Sequence, residues 1–212
     1  HLFSLRFQCD EFPQYTPGQF TKVGLEQNGN VVSRPYSLVS HPQNSELEIM
    51  AVPVAEGVLS PKLHELREGD ALKVMAPATG FLILSEVPDS HDVWLIATGT
   101  GVGPFLSILA GNEIWQRYEQ VILVYAARYT NDLAYGKFIA KCAHDYPTQF
   151  NYVPIVSREN VSGALRGRIP DLLRAGDITE QAGQVLMWVA YKLGHLWRIV
   201  IKCAPIKSPL SH

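Results

Sequence analysis

The sequence predicts two domains, a small antiparallel β-barrel or sandwich in residues 1–87 and a parallel α/β domain in residues 88–212. Before residue 88, short strands are separated by turn residues, whereas uninterrupted apolar runs beyond it alternate with amphipathic stretches. A glycine-rich segment, residues 98–103, stands between the first apolar run and the first of these helices. In this layout backbone N–H groups commonly face a phosphate.

Six strands and one helix are predicted in the N-terminal part. The strands cover residues 2–8, 19–25, 36–39, 47–54, 71–75 and 81–84, and the helix covers residues 60–66. Because the strands are short and one helix interrupts them, an antiparallel barrel or sandwich is favoured. The chain starts without Met and within an alternating pattern, so we expect a short N-terminal piece to precede it.

Four apolar runs predict the strands of the C-terminal part, at residues 93–97, 121–126, 152–156 and 185–189. Amphipathic stretches at residues 104–118 and 133–146 predict helices between the first three. Strands that alternate with helices form βαβ units and therefore a parallel sheet. The ligand of such a sheet is expected beyond the carboxyl ends of its strands.

Composition excludes several classes of function. The net charge is −2 with no basic run, which argues against a nucleic-acid partner. Three scattered cysteines indicate a reducing compartment, the cytoplasm, and are too few for an iron–sulfur cluster in this chain. The histidines and carboxylates show no metal-ligand spacing, and no nucleophile motif is found, so a cofactor should supply the chemistry.

The first candidate site comprises Arg34, Pro35, Tyr36 and Ser37. Arg can pair with a phosphate, Tyr can stack on a ring system, and Ser can hydrogen-bond a ring heteroatom. The alternative is a strand with an exposed Arg and a half-buried Tyr. Residues 57–60 form a second candidate, either a nest of backbone donors or a helix start with Ser60 as N-cap.

The glycine turn, as we call residues 98–103, contains Gly99, Gly101 and Gly103 at alternate positions. Bare backbone there could approach a phosphate closely. The turn is neither of the familiar phosphate-binding glycine motifs, and a tight turn that needs glycine only for positive φ is the alternative.

Arg128 and Arg158 follow predicted strand ends, and Arg168 lies in the segment at residues 167–170. We call Arg128, Arg158 and Arg168 the arginine set. Charged residues at the carboxyl ends of parallel strands are positioned to bind a ligand. Glu159 is the acid noted beside them, so the arginine set indicates a dianionic group such as a ribose 2′-phosphate. The alternative for each arginine is a solvated surface position.

Taken in chain order, the segments at residues 34–37, 57–60 and 97–104 resemble the ferredoxin–NADP reductase family. Residues 19–22, 126–129, 156–159 and 167–170 are similar to the bacterial flavodoxin/ferredoxin–NADP reductases in particular. The resemblance implies an FAD-binding Greek-key barrel followed by a Rossmann-like NADP-binding domain. It extends from about residue 1 to residue 187.

The resemblance also implies roles for single residues. Arg34 would hold the FAD pyrophosphate, Tyr36 would pack against the flavin, and Ser37 would lie near flavin N5. Tyr36, Ser37 and Thr100 are the implied catalytic residues. The implied cofactor-binding residues are Arg34, Pro35, Tyr36, Ser37, Val58, Leu59, Ser60, Gly99, Thr100, Gly101, Gly103, Ala127, Arg128, Ser157, Arg158 and Arg168.

The implied activity is hydride transfer between NADPH and flavin N5, coupled to single-electron transfer with ferredoxin or flavodoxin as a separate protein. We expect a monomer with no integral membrane segment. One alternative is an NADH- or NADPH-dependent flavin reductase or oxygenase reductase component. Another is an inactive flavin-binding module.

The C-terminal end departs from the family pattern. Family members follow the last strand with a Cys-Gly-x-Pro turn, a helix and a terminal aromatic residue, and residues 188–212 contain none of these. A frameshifted or rearranged end is our preferred explanation over a divergent lineage. Residues 185–201 are too short and too charged for a membrane span, and an interfacial helix is the alternative there.

Overall fold

The computed structural model describes residues 2–178, 184–192 and 195–203. The chain forms two compact units, one of His1–Glu86 with Thr100–Asn112 and the other of Val87–Gly99 with Glu113–His212. The helix that follows the glycine turn therefore belongs to the first unit, although its sequence continues from a strand of the second.

The first unit is built from five antiparallel strands. They are β1 (Phe3–Phe7), β2 (Phe20–Gln27), β3 (Asn30–Ser37), β4 (Leu47–Ala51) and β5 (Lys73–Val74). β1 pairs with β4, and β3, β2 and β5 form a second sheet in that order. A single bridge between Leu38 and Ile49 connects the end of β3 to β4. The predicted antiparallel class of this part is confirmed.

Two of the predicted strands differ from the structure. β3 begins at Asn30 rather than residue 36, because Asn28 (φ 52°) and Gly29 (φ 75°) form a tight turn that pairs β2 directly with β3. The predicted strand at residues 81–84 is wrong, since Leu84–Glu86 form a 3₁₀ turn. Leu82 and Leu84 are both buried, so the alternation of apolar residues there reflects burial without strand pairing.

Helix α1 (Ser60–Glu65) covers the first unit's core through Leu63, its one buried residue. The other buried members of this core come from the strands and their connections: Val23, Leu38, Leu47, Ile49, Leu59 and Ala78. Burial of a Val, Leu or Ile side chain contributes about 1.5–3 kcal/mol, so this core makes a large contribution to the stability of the unit.

The second unit contains a six-stranded sheet. Its strands are β6 (Asp92–Thr98), β7 (Gln120–Ala127), β8 (Phe150–Val156), β9 (Leu165–Arg166), β10 (Gln184–Lys192) and β11 (His195–Cys203), in the order β11-β10-β6-β7-β8-β9. All pairs are parallel except β10–β11. The order reverses at β6, so the glycine turn begins at the topological switch point of the sheet.

Helices connect these strands, and the predicted parallel α/β class is confirmed. The predicted helix at residues 104–118 is two helices, α2 (Gly103–Leu109) in the first unit and α3 (Glu113–Arg117) in the second. Gly111 and Asn112, both poor helix formers, separate them. The remaining helices are α4 (Gly136–Asp145) and α5 (Ile169–Ala175).

The predicted strand at residues 185–189 lies within β10, whereas the alternative of an interfacial helix over residues 185–201 is wrong because β11 occupies its second half. The prediction of a frameshifted end concerns residues 188–212, of which 193–194 and 204–212 lie outside the described residues. Among the residues described, no helix has the length and apolar composition needed to cross a membrane.

Candidate nucleotide and flavin sites

The glycine turn bends directly after the carboxyl end of β6. Gly99 has φ +53°, in the left-handed region that favours glycine, and a Cβ placed there would meet nothing within 4 Å. Gly99–Val102 form a 3₁₀ turn that continues into α2. The backbone at Gly99 is therefore accessible from one side, as a phosphate-binding turn requires.

Gly103 lies against the segment that follows β3. A Cβ at Gly103 would lie 3.2 Å from Val39 Cγ2 and 3.9 Å from Ser37 Cβ. The structure thus brings the end of the glycine turn next to Ser37, although 65 intervening residues separate them in the sequence. A side chain at position 103 would therefore be tight, and Val39 would have to shift by a few tenths of an ångström to admit it.

A buried polar network holds α2 in this place. The Ser107 hydroxyl, 0% exposed, donates to the Ser40 carbonyl at 2.7 Å, and the Tyr15 hydroxyl donates to the same carbonyl at 2.9 Å. The Ser40 hydroxyl accepts from the Glu48 N–H at 3.0 Å. Sequence reasoning missed this network, and the available signal was a Ser inside an otherwise apolar helix.

Arg34 and Tyr36 are neighbours on β3. Arg34 is exposed and donates through Nη1 to the Ser33 carbonyl at 2.8 Å. Burial raises the pKa of the half-buried Tyr36, and the Arg34 guanidinium partly offsets that effect. The arrangement presents a cation beside an aromatic ring, which suits a ligand that carries both a phosphate and a ring system.

The segment at residues 57–60 differs in one respect from the prediction. Leu59, not Ser60, is the N-cap of α1, and the Ser60 hydroxyl accepts from the Val54 N–H at 3.0 Å. The predicted N-cap role of Ser60 is therefore wrong, because the hydroxyl is used to hold the preceding loop. Leu59 is buried in the core, whereas Val58 is 60% exposed.

The arginine set lies at the carboxyl ends of β7, β8 and β9. The Arg158 N–H donates to the Arg128 carbonyl at 2.9 Å, and the Ser157 N–H donates to the Ala127 carbonyl at 3.2 Å. Arg168 follows Gly167, whose N–H donates to the Val156 carbonyl at 3.0 Å. All three arginines are exposed. The structure therefore brings these predicted residues together at one end of the sheet.

The acids nearest the arginine set in the sequence have other partners. The Glu159 carboxylate accepts from the backbone N–H and the hydroxyl of Thr130, and Asp171 pairs with Arg174 at 2.7 Å. Within residues 2–178, no member of the arginine set has a carboxylate at ion-pair distance. This uncompensated positive charge fits a nucleotide phosphate.

Comparison with known proteins identifies the class that this fold and site define. Residues 2–82 match the oxidoreductase FAD-binding domain, and residues 95–188 match the oxidoreductase NAD-binding domain. The chain is thus an oxidoreductase with one domain for a flavin and one for a nicotinamide nucleotide. These matches confirm the two cofactor classes expected from the sequence.

The relatives give the particular family. Over 182 residues the chain is 43% identical to a flavodoxin/ferredoxin–NADP reductase of Shigella flexneri, covering 86% of this chain and 73% of that protein. It is 36% identical to a ferredoxin–NADP reductase of Pseudomonas aeruginosa, covering 86% of this chain and 72% of that protein. The chain belongs to the flavodoxin/ferredoxin–NADP reductase family, as predicted.

A solved structure agrees with this assignment. The ferredoxin NADP+ reductase of Neisseria gonorrhoeae, solved with bound FAD and NADP, matches with a TM-score of 0.80 at 29% identity. The match covers 88% of this chain and 78% of that one. It confirms the predicted fold class, an N-terminal antiparallel β domain followed by a Rossmann-like α/β domain.

Proposed function

We propose that this protein binds FAD and NADPH and exchanges electrons between NADPH and a separate ferredoxin or flavodoxin. The arginine set is the observation that favours NADPH. It lies at the end of the sheet in the NAD-binding domain, and the acids among the described residues do not neutralise its positive charge. Relatives of the same family are named for NADP and for these two carriers.

The first unit offers a matched set of groups for FAD. Arg34, exposed beside the half-buried Tyr36, would pair with the pyrophosphate, and the Tyr36 ring would pack against the flavin. Ser37 would hydrogen-bond a ring heteroatom. Val58, which is exposed, would add its backbone N–H, whereas Leu59 would contribute through its backbone alone because its side chain is in the core.

The second unit would hold the nucleotide by charge. Arg128, Arg158 and Arg168 would bind the 2′-phosphate, each through a charge-assisted hydrogen bond. Ala127 precedes Arg128, and Ser157 precedes Arg158. The Ser157 N–H donates to the Ala127 carbonyl at 3.2 Å, and this bond keeps the two arginine-bearing loops in register. Gly99 would present its backbone N–H group to the ligand at the switch point.

FAD, when bound, supplies the chemistry that links a hydride donor to carriers of single electrons. The residues of this chain bind and orient the reactants: Gly103 permits the close approach of the turn to Ser37, and the Ser107–Ser40 bond fixes that approach. The 212 residues contain three cysteines, fewer than an iron–sulfur cluster needs, so an iron–sulfur carrier would not lie within them.

Carrier reduction by the FAD-loaded full chain tests this function. We expect NADPH to support reduction of purified flavodoxin or ferredoxin, with NADH much less effective. Equal rates with both nucleotides would indicate an NADH-using reductase. Reduction of free flavin without reduction of either carrier would indicate a flavin reductase. Bound flavin that NADPH fails to reduce would indicate an inactive module.

A further inference from the structure

Two loops that carry arginines are joined by one carboxylate. The loop after β7 contains Arg128 and leads into the 3₁₀ turn Thr130–Asp132, and the loop after β8 contains Arg158 and Glu159. Glu159 accepts hydrogen bonds from both the N–H and the hydroxyl of Thr130. The Arg158 N–H also donates to the Arg128 carbonyl at 2.9 Å, so two consecutive residues of the second loop, Arg158 and Glu159, bind the first loop.

Thr130 is the hydrogen-bond partner that holds the Glu159 carboxylate. The hydroxyl and then the backbone N–H of Thr130 lower the pKa of Glu159. The carboxylate also caps the start of the 3₁₀ turn, where an unpaired N–H would otherwise face solvent. Glu159 is thus ionised and already hydrogen-bonded to Thr130 before a ligand binds.

We propose that Glu159 is a positioning residue for recognition of the nucleotide 2′-phosphate, because its bonds to Thr130 hold the Arg128 loop and the Arg158 loop at a fixed separation. This inference rests on the proposed function. A fixed separation reduces the conformational entropy that the two arginines lose when they bind one phosphate.

A competing effect of Glu159 has the opposite sign. A carboxylate near a phosphate site repels the ligand, so removal of its charge alone would tighten phosphate binding. Loss of the contact to Thr130 would instead loosen the loops and weaken binding. The two effects can be separated with Glu159→Gln, which removes the charge but keeps an amide oxygen that can accept from Thr130.

The test is calorimetric binding of 2′,5′-ADP and of 5′-AMP to the FAD-loaded full chain, at a pH where the phosphate is fully ionised. We expect Glu159→Ala to weaken 2′,5′-ADP binding about tenfold, equivalent to the loss of one charge-assisted hydrogen bond. Binding of 5′-AMP should stay within about twofold of wild type, since only the 2′-phosphate uses both loops. Glu159→Gln should retain most of the affinity.

Two further variants complete the design. Thr130→Val removes the hydroxyl donor, and its effect should not add to that of Glu159→Ala because both break the same contact. Asp171→Ala is the control, because this acid also lies near an arginine of the set but pairs with Arg174. Its 2′,5′-ADP affinity should match wild type. In turnover, Glu159→Ala should raise KM for NADPH with kcat unchanged.

The inference is overturned if Glu159→Ala binds 2′,5′-ADP as tightly as wild type or more tightly. It is also overturned if 5′-AMP binding weakens by the same factor. If Glu159→Ala fails to fold, Glu159→Gln and Thr130→Val provide the test. Tighter binding of 2′,5′-ADP than in wild type by both variants overturns the inference, and weaker binding by Thr130→Val supports it. A wild-type protein without preference for 2′,5′-ADP overturns both this inference and the NADPH assignment, whereas unchanged variants overturn the inference alone.

Discussion

Replacing Arg158 or Arg168 by Ala, one at a time, should raise KM for NADPH by roughly 10–100-fold. Each guanidinium would donate a charge-assisted hydrogen bond to the 2′-phosphate, and such bonds contribute about 1.5–3 kcal/mol. Both side chains are exposed and have no carboxylate partner among residues 2–178, so their removal breaks no ion pair within that part of the chain. The loss should therefore fall on binding rather than on stability.

The assay is steady-state turnover with NADPH and with NADH, accompanied by thermal unfolding of each variant. We expect KM for NADH to change little, because NADH lacks the phosphate. Arg174→Ala is the matched control: this arginine lies on α5, six residues after Arg168, but pairs with Asp171 at 2.7 Å. Its KM for NADPH should equal wild type. An unchanged KM for NADPH in Arg158→Ala and Arg168→Ala would remove both residues from the nucleotide site.

Three further predictions concern other parts of the chain. Gly103→Val should reduce the FAD content of the purified protein, because a Cβ there would lie 3.2 Å from Val39 Cγ2. Gly136→Val is the control, since a Cβ at position 136 would meet nothing within 4 Å. Equal FAD content in Gly103→Val and wild type would refute this reasoning. Ser107→Ala should lower the free energy of unfolding by about 1 kcal/mol, since the Ser40 carbonyl loses one of its two donors. The hydrogen bond from His91 to Asp92, with Glu119 also nearby, raises the pKa of His91 above 6.5. Protonated His91 therefore stabilises the folded protein fully below the pKa that His has in the unfolded chain, and this stabilisation is lost as the pH rises through the higher pKa of the folded state. His91→Asn should flatten that part of a curve of unfolding free energy against pH. An unaltered curve would show that the pair contributes nothing measurable.

The parallel sheet was predictable because its central strands are covered on both faces. β6 and β7 are buried almost throughout, so each appears in the sequence as an uninterrupted apolar run. The ends of β7 and β8 also locate Arg128 and Arg158, since the arginine lies within two residues of the end of each strand. β9 has two residues and leaves no periodic signal, so it was missed.

The contacts that position the site were not predictable in the same way. Gly103 approaches Val39, and Ser107 bonds to Ser40, across more than 60 residues of sequence. Glu159 and Thr130 are 29 residues apart, and nothing in their spacing indicates a contact. Local propensity and periodicity describe neighbours along the chain, whereas these contacts depend on how the elements pack.

Anaerobic reduction of the flavin-loaded, full-length chain tests the central claim most directly. At equal, subsaturating concentrations, NADPH should bleach the flavin absorbance many times faster than NADH does. A chain that retains no flavin, or one whose flavin is bleached at the same rate by both nucleotides, would contradict the account.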